Sequence, residues 1–136
     1  MASRSTKRER AQPSPPPLHE LESEVMEALW TSGEAPVRSV MDTLNARAER
    51  ERAYTTYMTI MARLHNKGLL RRRREGKADY YAPVYDRDEY MALRAKSEVE
   101  GLVSQYGDVA LSHFAEQMAK LDPARRRALQ RLARKG

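Results

Sequence analysis

Thr55, Thr56, Thr59 and Arg63 set three hydroxyls and a guanidinium at offsets that gather along one flank of a helix. Tyr57, Ile60, Met61 and Leu64 form an apolar stripe on the opposite flank. The spacing therefore predicts a helix over 53–67 that buries one side and presents the other. Such a helix fits the major groove of a nucleic-acid duplex, and its first turns reach base edges. Threonine hydroxyls bond bases or phosphates, an arginine grips guanine or phosphate, and the free N–H groups of a helix start attract anions. Just downstream, Arg71, Arg72, Arg73 and Arg74 stand side by side, with Lys77 close behind. Four adjacent cations repel one another and gain nothing from a core. Laid along a phosphate backbone they would release counterions and position the chain without reading sequence. The plainer uses of these residues are a helix cap for Thr55 and a charged edge strand for the arginines.

No other constellation suggests chemistry. His19, His65 and His113 are far apart, and none has histidine or carboxylate neighbours at ligand spacing. His19-Glu20 lacks the second histidine four residues on that a zinc metalloprotease helix needs. The six glycines form no phosphate-cradling loop, and the absence of cysteine removes disulfides, thiolate metal sites and a thiol nucleophile. Neither an enzyme, a metal site nor a cofactor is expected.

The charge distribution agrees with the arginine run. A chain of 136 residues, net +6, has room for one domain or a small domain with an appendage. Residues 1–17 carry +3 and end in Pro13, Pro15, Pro16 and Pro17, which predicts a disordered basic arm. Residues 18–34 carry −5, residues 47–77 carry +7, and residues 86–136 only +2. Positive charge thus collects in the arm and one central block, the footprint of a polyanion-binding face. No apolar run approaches the roughly 18 residues of a membrane helix, and none follows the basic N-terminus as in a secretion signal. A cytoplasmic, nucleoid-associated protein is expected, with no membrane partner.

Around helix 53–67 the pattern supplies a frame. Leu18, Leu21, Val25, Ala28 and Leu29 predict an amphipathic helix from 18 to 31, stopped by Ser32-Gly33, with no evident N-cap. A short extended step at Pro36-Val37 leads to a second helix, marked by Val37, Val40, Met41 and Leu44 and ending near Arg47. Lys67-Gly68 ends the third helix. Leu69 to Glu75, the turn Gly76-Lys77 and Ala78 to Val84 then read as a β-hairpin. Helix, short strand, helix, helix, hairpin over 18–85 is the order of a winged helix-turn-helix.

Beyond it, Asp86 and Glu89 have the spacing of a capping box. The helix they open carries Ala92, Ala95, Val99, Leu102 and Tyr106 in a heptad-like seam, broken at Gly107-Asp108. Leu111, Phe114, Met118 and Leu121 share one face of the next helix, and Asp122-Pro123 opens a last one with Leu129 and Leu132. Three short helices over 86–136 with narrow stripes can hardly enclose a core. Their stripes call for a second copy of the chain, so Val99, Leu102, Tyr106, Leu111, Phe114, Met118, Leu129 and Leu132 are the expected dimer contacts. The expected fold is mainly α with a small β-hairpin wing, followed by a three-helix dimerisation region.

These residues carry a family resemblance. Leu21-Glu22, Glu24-Val25-Met26 and Leu29-Trp30, then Ala53-Tyr54-Thr55-Thr56, Met58-Thr59, Arg63-Leu64, Lys67-Gly68-Leu69, Arg72-Arg73, Gly76-Lys77 and Tyr81-Ala82-Pro83-Val84 resemble the BlaI/MecI family of penicillinase repressors. The likeness is close over 18–85 and looser over 86–132. It implies a homodimer with winged-helix domains and entwined helical tails, repressing transcription from a palindromic double-stranded DNA operator. By this resemblance Thr56, Thr59 and Arg63 are recognition-helix contacts, and Arg72 to Lys77 form the wing. Tyr57 departs from the small β-branched residue usual in the family, and a change of packing rather than of readout is expected from it. In the best-studied members a sensor-linked protease cuts before a phenylalanine in the C-terminal region. The matching bond is His113-Phe114, where histidine stands in place of the usual asparagine. Two other readings stay open on the residues alone: a non-specific nucleoid-type DNA-binding protein, and a winged-helix protein-interaction module.

Overall fold

The apolar stripes of the first half become three helices: α1 (Glu20–Ser32), α2 (Val37–Asn45) and α3 (Tyr54–Asn66). The structure is a computed structural model and describes residues 14–135, in two compact units, 14–95 and 96–135. In the first unit Val25, Met26 and Leu29 of α1 meet Val37, Val40 and Leu44 of α2 and Tyr57, Met61 and Leu64 of α3. Each such side chain, once buried, contributes about 1.5–3 kcal/mol. The stripes are set by three- and four-residue spacing, so each helix has only one face it can turn inward.

The sheet has one strand more than the expected hairpin. The step before α2 pairs as β1 (Ala35–Pro36) with β3 (Ala78–Pro83), and β3 pairs with β2 (Leu70–Glu75), all antiparallel in the order β1-β3-β2. Gly76, at φ 63°, makes the tight turn between β2 and β3 in the left-handed region that glycine adopts without strain. Leu69, Leu70 and Tyr81 close the core from the sheet side.

Helix starts show where sequence expectations shift. α1 begins at Glu20 rather than Leu18, and its missing cap is a reversed one: the His19 backbone N–H donates to Glu22 Oε1 at 3.0 Å. α4 (Arg87–Tyr106) opens on the expected capping box, with Asp86 N–H on Glu89 Oε1 at 2.9 Å and Glu89 N–H on Asp86 Oδ1 at 2.8 Å. Its first turns belong to the first unit, because Tyr90 sits in that core with its ring centre 5.5 Å from that of Trp30. Trp30 Nε1–H donates to the Tyr85 carbonyl at 2.9 Å, holding the segment after the wing against α1.

The disordered arm expected over 1–17 lies outside the described residues as far as Pro13. Its last four residues correct the expectation. Pro15 is buried and accepts from Arg94 at 3.1 Å through its carbonyl, while the Pro16 carbonyl accepts from the Tyr90 hydroxyl at 2.8 Å. Prolines lack an N–H but keep a strong acceptor, so a proline strap can be fastened by donors on a neighbouring helix.

The second unit holds the rest of α4, then α5 (Asp108–Ala119) and α6 (Pro123–Lys135). Gly107, at φ 59°, breaks the seam as expected. Asp122 Oδ1 accepts the Arg125 N–H at 2.9 Å, and Pro123 takes the first helical position. Arg126 donates to the carbonyls of Met118, Ala119 and Leu121, satisfying the open end of α5. Among the described residues no helix is long and apolar enough to cross a membrane.

Candidate nucleic-acid interface

On α3 the structure separates the two expected faces. Tyr57, Met61 and Leu64 are fully buried, while Thr55, Thr59 and Arg63 are exposed in one file, with Thr56 half-buried at its edge. The same face holds residues that sequence reasoning misses. Asn66 continues the file, and Met58, 45% exposed, lines a shallow depression with Thr59, Ala62, Arg63 and Asn66. The signal for Asn66 is its seven-residue offset from Thr59. Met58 is hidden because a methionine reads as core.

Thr55 is not the helix cap. The N-cap is Ala53, in extended conformation with no side-chain bond to the first turn, and Thr55 and Thr56 lie inside the helix. Their hydroxyls are therefore not taken up by capping.

What positions α3 is Asn45, the last residue of α2. Its amide donates to the Arg52 carbonyl at 3.0 Å and its Oδ1 accepts the Arg52 N–H at 3.1 Å, closing the loop between the two helices. The Tyr57 hydroxyl donates to the same Oδ1 at 2.8 Å. The unusual tyrosine thus fills the core and ties α3 to the turn, a packing role as expected. Asn45→Ala is expected to cost about 1–2 kcal/mol, leaving the buried Tyr57 hydroxyl without its acceptor, and Tyr57→Phe in the Asn45→Ala background little further. Urea unfolding of the two single variants and the double variant measures this, and additive losses would dismiss the shared network.

The wing presents its cations unequally. Residues 71–77 are all exposed. By strand alternation Arg72 and Arg74 share a side with Leu70 and Tyr81, and Arg71 and Arg73 share the side of Tyr80. Arg73 is already engaged: it is bidentate to Glu34 at 2.8 and 3.1 Å, bonded to Glu75, and stacked 4.9 Å over the Tyr80 ring. The Arg73 bond holds the Glu34 carboxyl below the ordinary carboxylate range, and Glu34 and Glu75 raise the guanidinium in turn. Arg74 pairs with Asp79 at 3.3 Å. Among the described residues Arg72 and Lys77 have no ion-pair partner.

The acidic block explains this division. Glu22 is 1% exposed and bonds Lys67 Nζ at 2.8 and 2.9 Å; Glu27 meets Arg87 at 3.1 Å, and Glu24 lies 3.9 Å from Arg52. Burial works to raise the Glu22 carboxyl, but the His19 N–H and the Lys67 ammonium outweigh it and hold it below the ordinary range. Carboxylates of α1 and its turn thus neutralise cations on neighbouring elements. Among the described residues, the outward file of α3 and Lys77 at the tip of the wing are left unpaired.

In the second unit the apolar seam is only partly covered. Val99, Leu102, Tyr106, Leu111 and Leu132 are exposed, while Phe114, Met118 and Leu129 are half-buried. The His113–Phe114 bond lies within the hydrogen-bonded turns of α5 rather than in a loop. Among the described residues no group of three or more histidines, cysteines or carboxylates could hold a metal ion.

Comparison with known proteins gives three likenesses. Residues 18–135 match the sequence profile of the penicillinase repressors. The transcriptional regulator BlaI of Mycobacterium tuberculosis (strain ATCC 25618 / H37Rv) is 42% identical over 118 residues, which cover 85% of this chain and 84% of that protein. Among solved structures, the monomeric form of Bacillus licheniformis BlaI, in complex with the blaP half-operator, is 28% identical with a TM-score of 0.47, covering 56% of this chain and 90% of that one. The complex of hsRosR-S1 is 14% identical with a TM-score of 0.50, covering 77% and 96%, a likeness of fold alone.

Proposed function

The chain belongs to the penicillinase repressor family, and on that premise we propose that it acts as a homodimer on a palindromic operator. It is a DNA-binding transcriptional repressor and not an enzyme. Each protomer sets α3 in a major groove, with Thr55, Thr56, Thr59 and Arg63 toward the bases and the wing on the flanking backbone. Two such helices would lie about 34–36 Å apart, or a multiple of it, on one face of the duplex. The observation that carries this reading is the file of Thr55, Thr59 and Arg63, exposed and uncommitted among the described residues, while the helix beneath it is locked by Asn45 and Tyr57. The apolar seam of α4, α5 and α6, from Val99 to Leu132, is the dimer contact in this reading.

Competition between a palindromic operator and random duplex, with sedimentation of the free protein, tests it. A dimer preferring the palindrome is expected. Equal affinity for random duplex would leave a nucleoid-type protein, and no retardation at physiological salt would leave a protein-interaction module.

The wing divides into phosphate-binding cations and a fastening. Arg72→Ala with Lys77→Ala is expected to flatten the salt dependence of binding by about 0.9 in slope for each phosphate no longer neutralised. Arg73→Ala, whose charge is held by Glu34 and Glu75, is expected to weaken binding with little change of slope. Salt titration of the parent and the two variants on one duplex decides, and a slope unmoved by the double change would put these side chains off the backbone.

Repression in this reading is steric, and release comes from weakening the dimer. Cleavage by a sensor-linked protease at His113-Phe114 would first require α5 to unwind locally, since the bond is helical. A protein that stays intact in cells whose target genes are induced would remove that route.

A further inference from the structure

α6 carries six cations, Arg125, Arg126, Arg127, Arg131, Arg134 and Lys135, and no acidic side chain. Arg126 is committed to the carbonyls at the end of α5. Arg127, Arg131 and Arg134 fall at i, i+4 and i+7, so they share one face, well away around the helix from Leu129 and Leu132. All three are exposed, and among the described residues none has an ion-pair partner. Like charges four residues apart destabilise a helix, and one carboxylate at a neighbouring position would relieve them. The helix dipole favours Arg134 and Lys135 in the last turn but does nothing for Arg127 and Arg131. A polyanion lying along the stripe would relieve the repulsion.

We propose that α6 is a second surface for duplex DNA, separate from α3 and the wing, which grips backbone phosphates through Arg127, Arg131 and Arg134 without reading bases. Planar guanidinium forks suit phosphate oxygens. The stripe runs about 10.5 Å along the helix, a length over which one DNA strand presents several charges. The inference rests on the chain being a DNA-binding protein, but not on which bases α3 meets. Such a surface holds DNA beyond the operator and raises the encounter rate with it.

The test uses the full chain carrying Arg127→Gln and Arg131→Gln, with Lys96→Gln and Lys120→Gln as a pair that removes the same charge from exposed positions elsewhere. Glutamine keeps the helix propensity, and circular dichroism and sedimentation check fold and assembly. On random duplex the α6 variant is expected to bind on the order of tenfold more weakly at physiological salt, with a salt slope lower by about 1.8. The control pair should leave the slope near that of the parent. An unchanged slope in the α6 variant, or an equal fall in the control, overturns the proposal. So does a change in oligomeric state in the α6 variant alone, which would make the stripe a protein–protein contact. Loss of operator preference in the parent protein would instead strike the repressor reading, while this slope comparison would still stand.

Discussion

Lys67→Met is expected to lower the unfolding free energy by about 2–4 kcal/mol at neutral pH, and by less as the solution is acidified. Breaking a buried ion pair by removing one member strands the other, and here the stranded group is Glu22, with a side chain 1% exposed. Lys67 is 26% exposed, so water screens part of the pair and the expected loss sits below the full figure for a wholly buried one. In the parent protein the folded Glu22 carboxyl lies below its ordinary value of 4.5. Its contribution is therefore complete above that value and is lost as pH falls through the folded one. In Lys67→Met, burial acts against His19 alone, without the Lys67 ammonium, so the carboxyl rises from its position in the parent and the variant gains relative stability on acidification. The two stability curves should converge below neutrality. Urea unfolding at pH 7 and near pH 4.5 measures this, and parallel curves would refute it. Adding Glu22→Gln to Lys67→Met should recover part of the loss, because a neutral pair no longer buries a bare charge.

The second large effect is on recognition. Arg63→Ala is expected to cost about 1–3 kcal/mol on the operator and clearly less on random duplex. Arg63 is exposed on the outward file and has no ion-pair partner among the described residues, so its loss should leave folding almost untouched. Thr59→Ala should follow the same pattern, losing a hydroxyl and a methyl that face the groove in this reading. Retardation on both sequences, beside unfolding curves for both variants, separates readout from stability. Equal losses on operator and random duplex would mean that Arg63 holds phosphate and not base.

Much of this arrangement is legible from residue types, because it depends on local rules. Tyr57, Met61 and Leu64 share a face by helical spacing alone, and the Asp86–Glu89 box and the Asp122-Pro123 start act within one turn. The unread part depends on which element lies beside which. Lys67 reaches Glu22 across 45 residues and Arg73 reaches Glu34 across 39, so summed charges overstate the free cations of the wing. Asn45 looks like an ordinary helix-terminal residue until Arg52 and Tyr57 are seen to share its Oδ1. Met58 counts as core by type, although it is 45% exposed at the border of the face that buries Met61. Thr55 suits a cap by residue preference, yet Ala53 takes that position because the chain turns into α3 two residues earlier.

The bonds that Tyr90 and Arg94 make to Pro16 and Pro15 bear on how the winged half can be dissected from the rest. A cut at Leu18, where composition changes, would strip Tyr90 and Arg94 of their carbonyl acceptors. A cut at Tyr85 on the other side would remove Tyr90 itself and leave Trp30 without its aromatic neighbour. An isolated fragment that keeps its native closure has to begin upstream of Pro15 and extend past Arg94.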